Sequence, residues 1–215
     1  MKYKKTLIVG VFFGIASSVA YCSTTNTSSD DPNVAKLRAI KSDNGVDFSQ
    51  VNWLRQFPQL ESVPVGEQTA EINKLRVSES ISELIGPINN PYGVRDDVLY
   101  AIMEVVPESN HKQLQAAIKS AYYATLSGYA IADEDKLKYI RRESLSVGCM
   151  YGFDVDKENY DTSDNVMKIL STYDRNTSAR KKYIRNLEET VFAWQLLGDG
   201  YGLATEQKKC RNGDY

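Results

Sequence analysis

The second half of this chain repeats apolar residues at the spacing of α-helices. Val94, Val98, Ile102 and Val105 form one such stripe, because residues three and four positions apart lie on the same face of a helix. The same spacing recurs further along the chain at Leu114, Ile118, Ala121, Leu137, Ile140, Val147, Val166, Ile169, Tyr183, Leu187 and Trp194. The pattern predicts an all-α fold, a compact multi-helix domain of about six to seven helices.

The start of the folded domain is predicted at Asp31, since Asp31-Pro32 combines an acidic cap with a proline at the first helical position. A further helix is predicted from Glu67 to Ile85. The following segment, 86–93 (GPINNPYG), is the densest turn signal in the sequence. We therefore expect one helical domain over 31–215, with 86–93 as a candidate boundary between sub-lobes 31–86 and 94–215.

Residues 1–22 have the parts of a secretory signal peptide: a lysine-led start, an apolar run over 7–16 and small residues up to Ala20. The apolar run is shorter than the roughly 20 residues that a membrane span requires. We therefore expect a cleaved signal, with cleavage after Ala20 or Cys22. The mature chain is expected to have no membrane span and to be periplasmic or secreted, in a bacterial envelope.

The polar tract over 23–30 is predicted to be a disordered tether, because it holds no apolar residue that could enter a core. Lipid attachment at Cys22 is disfavoured, since the bulky Tyr21 precedes it where a lipobox has a small residue. Removal of the three signal lysines from 26 basic residues leaves 23 against 28 acidic ones, a formal charge of −5. This charge argues against a nucleic-acid partner.

Cys149 and Cys210 are predicted to form a disulfide, because an exported chain matures in an oxidising compartment. Cleavage after Cys22 would leave these two as the complete cysteine set. A catalytic thiol would need an activating base, and His111, the one histidine in the chain, lies in an exposed-looking polar string. The disulfide is therefore expected to be structural.

The usual motifs of enzymes are missing from the sequence. A Ser-His-Asp triad could be assembled only around His111, and no histidine pair, Gly-x-Ser-x-Gly motif or Cys-x-x-Cys pair occurs. The acidic string from Asp154 to Asp161 resembles the opening of an EF-hand calcium loop, but Asn159 and Asn165 stand where glycine and glutamate are needed. We therefore predict no catalytic residues, no cofactor and no metal site.

Tyrosine is abundant, with fourteen residues against six phenylalanines, and exposed tyrosines are favoured at protein interfaces. Tyrosines off the apolar stripes, together with the acidic loop, form the candidate interaction set: Tyr123, Tyr151, Tyr160, Asp154, Asp156, Glu158 and Asp161. The sequence thus favours an exported, non-enzymatic domain that binds a protein partner.

The general profile of this chain is similar to that of immunity proteins that inhibit toxic envelope enzymes. It combines a signal peptide, a small helical body and one disulfide with the lack of a recognisable set of catalytic residues. In that case the acidic loop is expected to plug a basic active site. Two alternatives stay open. One is an envelope hydrolase using a carboxylate pair, which predicts a deep cleft with a carboxyl group of raised pKa. The other is an accessory protein for secretion or surface assembly.

Overall fold

The computed structural model describes residues 48–66, 68–154, 160–185 and 209–212. Every regular element within these ranges is helical, which confirms the all-α class. The α-helices are α1 (Trp53–Gln56), α2 (Gln68–Leu75), α3 (Glu79–Ile85), α4 (Asp96–Val105), α5 (His111–Tyr129), α6 (Asp133–Phe153), α7 (Asp161–Tyr173), α8 (described over 178–185) and α9 (described over 209–212). Two 3₁₀ helices, Phe48–Gln50 and Pro58–Ser62, lie near the start.

The predicted signal peptide, the tether and the helix start at Asp31 lie outside the described residues. None of the described helices combines the length and the apolar character needed to cross a membrane.

The long helices α5 and α6 form an antiparallel hairpin at the centre of the molecule. Asn110 caps the first turn of α5, where its Oδ1 accepts a hydrogen bond from the Gln113 amide (3.2 Å). Its Nδ2 donates a second hydrogen bond to the carbonyl of Phe153 (2.8 Å). Phe153 is the last residue of α6, so the start of one helix meets the end of the other. Ser127 and Glu143 join the same two helices further along, with Oγ donating to Oε2 at 3.0 Å.

A single apolar core fills the space between this hairpin and α2, α4 and α7. Its members include Leu60 and Ile72, which precede the 86–93 loop, and Leu99 and Ile102, which follow it. Burial of each such side chain stabilises the fold by roughly 1.5–3 kcal/mol. Residues on both sides of the loop therefore contribute to one core.

The 86–93 loop is held by the buried carboxylate of Asp96, the first residue of α4. Asp96 accepts hydrogen bonds from the Asn89 amide (2.9 Å) and from Nδ2 of both Asn89 and Asn90 (2.7 Å each). Gly86, at φ 80°, has the backbone conformation that glycine alone adopts readily. The loop is thus an ordered connection.

The helix predicted from Glu67 to Ile85 is two helices in the structure, with a break over 76–78. Ser78 adopts an extended conformation and its Oγ caps α3 by accepting from the Ile81 amide (3.3 Å). The Arg76 side chain turns onto the other end of α3 and donates to the carbonyl of Gly86 at 2.6 Å. These side-chain bonds favour a new helix start over continuation of α2.

Candidate interaction site

The structure joins Cys149 and Cys210 in the predicted disulfide, with Cα atoms 5.3 Å apart and a separation of 61 positions in sequence. Cys149 is fully buried near the end of α6. Closing a loop of this length stabilises the fold by about 4 kcal/mol in the chain-entropy model. The bond fixes α9 against the helix that carries Tyr151.

Asp154 does not lie on the surface as the sequence suggested, and the structure corrects this part of the candidate set. Its side chain is 1% exposed and its Oδ2 accepts hydrogen bonds from the amide (2.8 Å) and the hydroxyl (2.6 Å) of Ser163. A carboxylate that accepts the free amides of a first helical turn is a helix cap. Asp154 therefore holds the start of α7, and a partner protein could not contact it.

A buried polar network extends from this cap to α5. Gln113, which is fully buried, donates Nε2 to the Ser163 hydroxyl (3.1 Å) and accepts from Asn110 Nδ2 (2.9 Å). The network connects the start of α5, the end of α6 and the start of α7. This network fixes the three helix ends relative to one another, because breaking one of its hydrogen bonds would leave a buried polar atom unpaired.

Tyr151, Tyr160, Asp161 and Asp164 lie together at this junction, which we call the α6–α7 corner. The rings of Tyr151 and Tyr160 meet edge to face, with centroids 5.7 Å apart. The Tyr151 hydroxyl donates to Asp164 Oδ1 (2.7 Å), while Tyr160 remains 36% exposed and Asp161 is exposed. The corner thus presents one aromatic ring, supported from beneath by another, beside an acidic group.

Asp156 and Glu158, the remaining acids of the predicted loop, lie in 155–159, outside the described residues. The comparison of this loop with an EF-hand therefore stays untested. Elsewhere, in the part of the chain that the structure describes, no three His, Cys, Asp or Glu side chains converge as metal ligands would.

Tyr123 belongs to a different cluster from the corner tyrosines. It is half-buried on α5, with its ring centroid 5.1 Å from that of Tyr122 and 6.5 Å from that of Tyr139. Tyr122 in turn donates a short hydrogen bond to Glu71 of α2. Tyr139 lies twelve residues before Tyr151 on α6, which corresponds to roughly 18 Å along the helix. Tyr123 is therefore not part of the same surface.

Two half-buried acids that sequence reasoning did not single out have raised pKa values. The pKa of Glu143 is raised to about 7, chiefly by burial; the hydrogen bond from Ser127 opposes the shift and the charge of Asp174 adds to it. Burial also raises the pKa of Asp174, against the lowering effect of three nearby arginines. Glu143 stands three residues after Ile140 and four before Val147, so its place on an apolar stripe was a usable sequence signal.

A small, partly open cavity of about 20 Å³ lies beside Asp174, with Arg95, Tyr129 and Leu170 in its wall. A space of this size holds about one water molecule.

Comparison with protein-family models, with curated proteins and with solved structures found no match to this chain.

Proposed function

We propose that this chain is an exported protein-binding domain of the bacterial envelope and that it contacts its partner through the α6–α7 corner. The observation that carries the proposal is Tyr160, an aromatic side chain left 36% exposed on a rigid support. Tyrosine is enriched among the residues that dominate binding energy, because it brings a large contact area with few rotatable bonds.

Rigidity supports this choice of surface. The ring of Tyr151 is fixed by its bond to Asp164, and the backbone on either side is held by the Asp154 cap and by the disulfide at Cys149. A contact group that is already ordered loses little conformational entropy on binding. The packing of Tyr160 against the fixed ring of Tyr151 supports its role as the anchor.

The charge of the corner favours a basic partner surface. Asp161 is exposed next to Tyr160. A complementary partner would offer a shallow apolar pocket for the ring, with lysine or arginine at its rim to meet the acidic group. An immunity protein that covers the basic cleft of a toxic envelope enzyme is one concrete form of this interaction.

Export is part of the proposal. The signal-like sequence of residues 1–22 supports it, and a disulfide between Cys149 and Cys210 is consistent with an oxidising compartment outside the cytoplasm. In that compartment the bond that stabilises the corner can form.

The test is quantitative recovery of bound protein with the tagged chain purified from the cell envelope. Tyr160→Ala is expected to weaken the dominant complex by 30-fold or more, the effect of losing about 2 kcal/mol at an interface hot spot. Asp161→Lys is expected to reduce the association rate and the salt dependence of binding.

Glu134→Lys supplies the matched control, because it reverses an exposed acid at the opposite end of α6, roughly 30 Å from the corner. Equal binding by wild type and Tyr160→Ala would contradict the proposal, as would equal losses in Asp161→Lys and Glu134→Lys. Far-UV circular dichroism and thermal melting establish that each variant is folded.

A further inference from the structure

The fold places the chain's one histidine against a serine hydroxyl, 49 residues away in sequence. Ser62 Oγ lies 2.8 Å from His111 Nδ1, and both residues are exposed. Ser62 ends the 3₁₀ helix Pro58–Ser62, and His111 is the first residue of α5. A hydroxyl within hydrogen-bond distance of an imidazole is the minimal arrangement for an activated nucleophile.

We propose that Ser62 and His111 form a site at which Ser62 is acylated by small activated esters. Ser62 Oγ attacks the ester carbonyl carbon while its proton passes to His111 Nδ1. The carbon–oxygen bond of the leaving group then breaks, the departing oxygen takes the proton from the imidazolium, and the products are acyl-Ser62 and an alcohol.

The hydroxyl proton has two acceptors within reach. It can point to the carbonyl of Gln59 or to His111 Nδ1, both 2.8 Å from Oγ. Moving it from one to the other exchanges one hydrogen bond for another, so the reactive orientation is accessible. Among the described residues no carboxylate bonds to the imidazole to orient it, as the acid of a full triad does. The acyl group is therefore expected to remain on Ser62, and the site to react about once per chain.

The experiment treats the intact, disulfide-bonded chain with p-nitrophenyl acetate and follows both nitrophenolate release and the acetylated peptides by mass spectrometry. The expected result is a burst approaching one nitrophenolate per chain, with acetyl on Ser62. Because general-base assistance contributes about 10²- to 10⁴-fold, His111→Gln is expected to slow acetylation of Ser62 at least 100-fold. Ser62→Ala is expected to remove the burst.

Ser171 is the internal control, since its Oγ donates to the carbonyl of Lys168 three residues earlier (3.1 Å), as Ser62 does to Gln59, and its hydroxyl has no imidazole partner. Acetylation of Ser62 no faster than that of Ser171 would overturn the proposal, as would an unchanged rate in His111→Gln. Acetyl found on lysines alone would overturn it too. Melting temperatures of the variants separate loss of reactivity from loss of fold.

Discussion

Replacement of Glu143 by glutamine is expected to stabilise the protein at neutral and alkaline pH and to have little effect in acid. The folded-state pKa of about 7 lies above the value of 4.5 for a free glutamate. Glutamine preserves the shape of the side chain and an oxygen that accepts from Ser127 Oγ. The variant therefore removes the charge and keeps the hydrogen bond.

The sign follows from proton binding. Below pH 4.5 the carboxyl group is protonated in the folded and unfolded chains alike, so this group makes no pH-dependent contribution. Between pH 4.5 and 7 the unfolded chain releases the proton while the folded chain keeps it, and stability falls as pH rises. Since each pKa unit corresponds to about 1.4 kcal/mol, the loss at pH 8 is about 3.5 kcal/mol at most. For a domain of this size that amounts to roughly 7–14 °C in melting temperature.

The assay is urea unfolding of wild type and Glu143→Gln at pH 4.5, 6 and 8. The gain in unfolding free energy should be near zero at pH 4.5 and should grow to about 2–3 kcal/mol at pH 8. Glu134→Gln, an exposed position on the same helix, should show no such trend. A difference between Glu143→Gln and wild type that stays constant with pH would refute the reasoning.

Two further predictions concern stability alone. Gly86→Ala should destabilise the fold by about 2 kcal/mol or more, because Gly86 has φ 80° and a Cβ there would lie 2.8 Å from Arg180 Nη2. Gly148→Ala, with nothing within 4 Å of its Cβ, should instead stabilise α6 by up to about 1 kcal/mol. Urea unfolding of the two variants measures both effects, and equal effects would contradict this prediction. Replacing Cys149 and Cys210 together by serine should lower the unfolding free energy by about 4 kcal/mol relative to the disulfide-bonded wild type. Urea unfolding measures the loss, and reduced wild type should match the double variant.

The all-α class was predictable because the apolar stripes from Val94 onward are local patterns, and local spacing decides which face of a helix is buried. The disulfide was predictable from the oxidising compartment that the signal-like N-terminus indicates. The break over 76–78 was missed, because it depends on Arg76 reaching the carbonyl of Gly86, ten residues away.

The errors in the candidate site have one physical origin. Asp154 was grouped with surface acids because it begins an acidic string. Its burial, however, depends on its bonds to Ser163, which in turn bonds to Gln113, fifty residues before Ser163 in sequence. Likewise, the contact between Ser62 and His111 arises only when α5 meets the 3₁₀ helix. Long-range contacts of this kind leave no periodic pattern in the sequence. The exposure of the residues that make them therefore cannot be judged from local composition.

Glu143 also bears on the choice between a binding protein and a carboxylate hydrolase. A general acid needs a carboxyl group with a raised pKa, and Glu143 has one. It also needs a substrate within hydrogen-bond reach. Beside Asp174, the acid that interacts with Glu143, the described chain leaves a cavity of about 20 Å³, enough for one water molecule. The raised pKa there follows from burial of an acid between packed helices, and its measurable consequence is the pH dependence of stability.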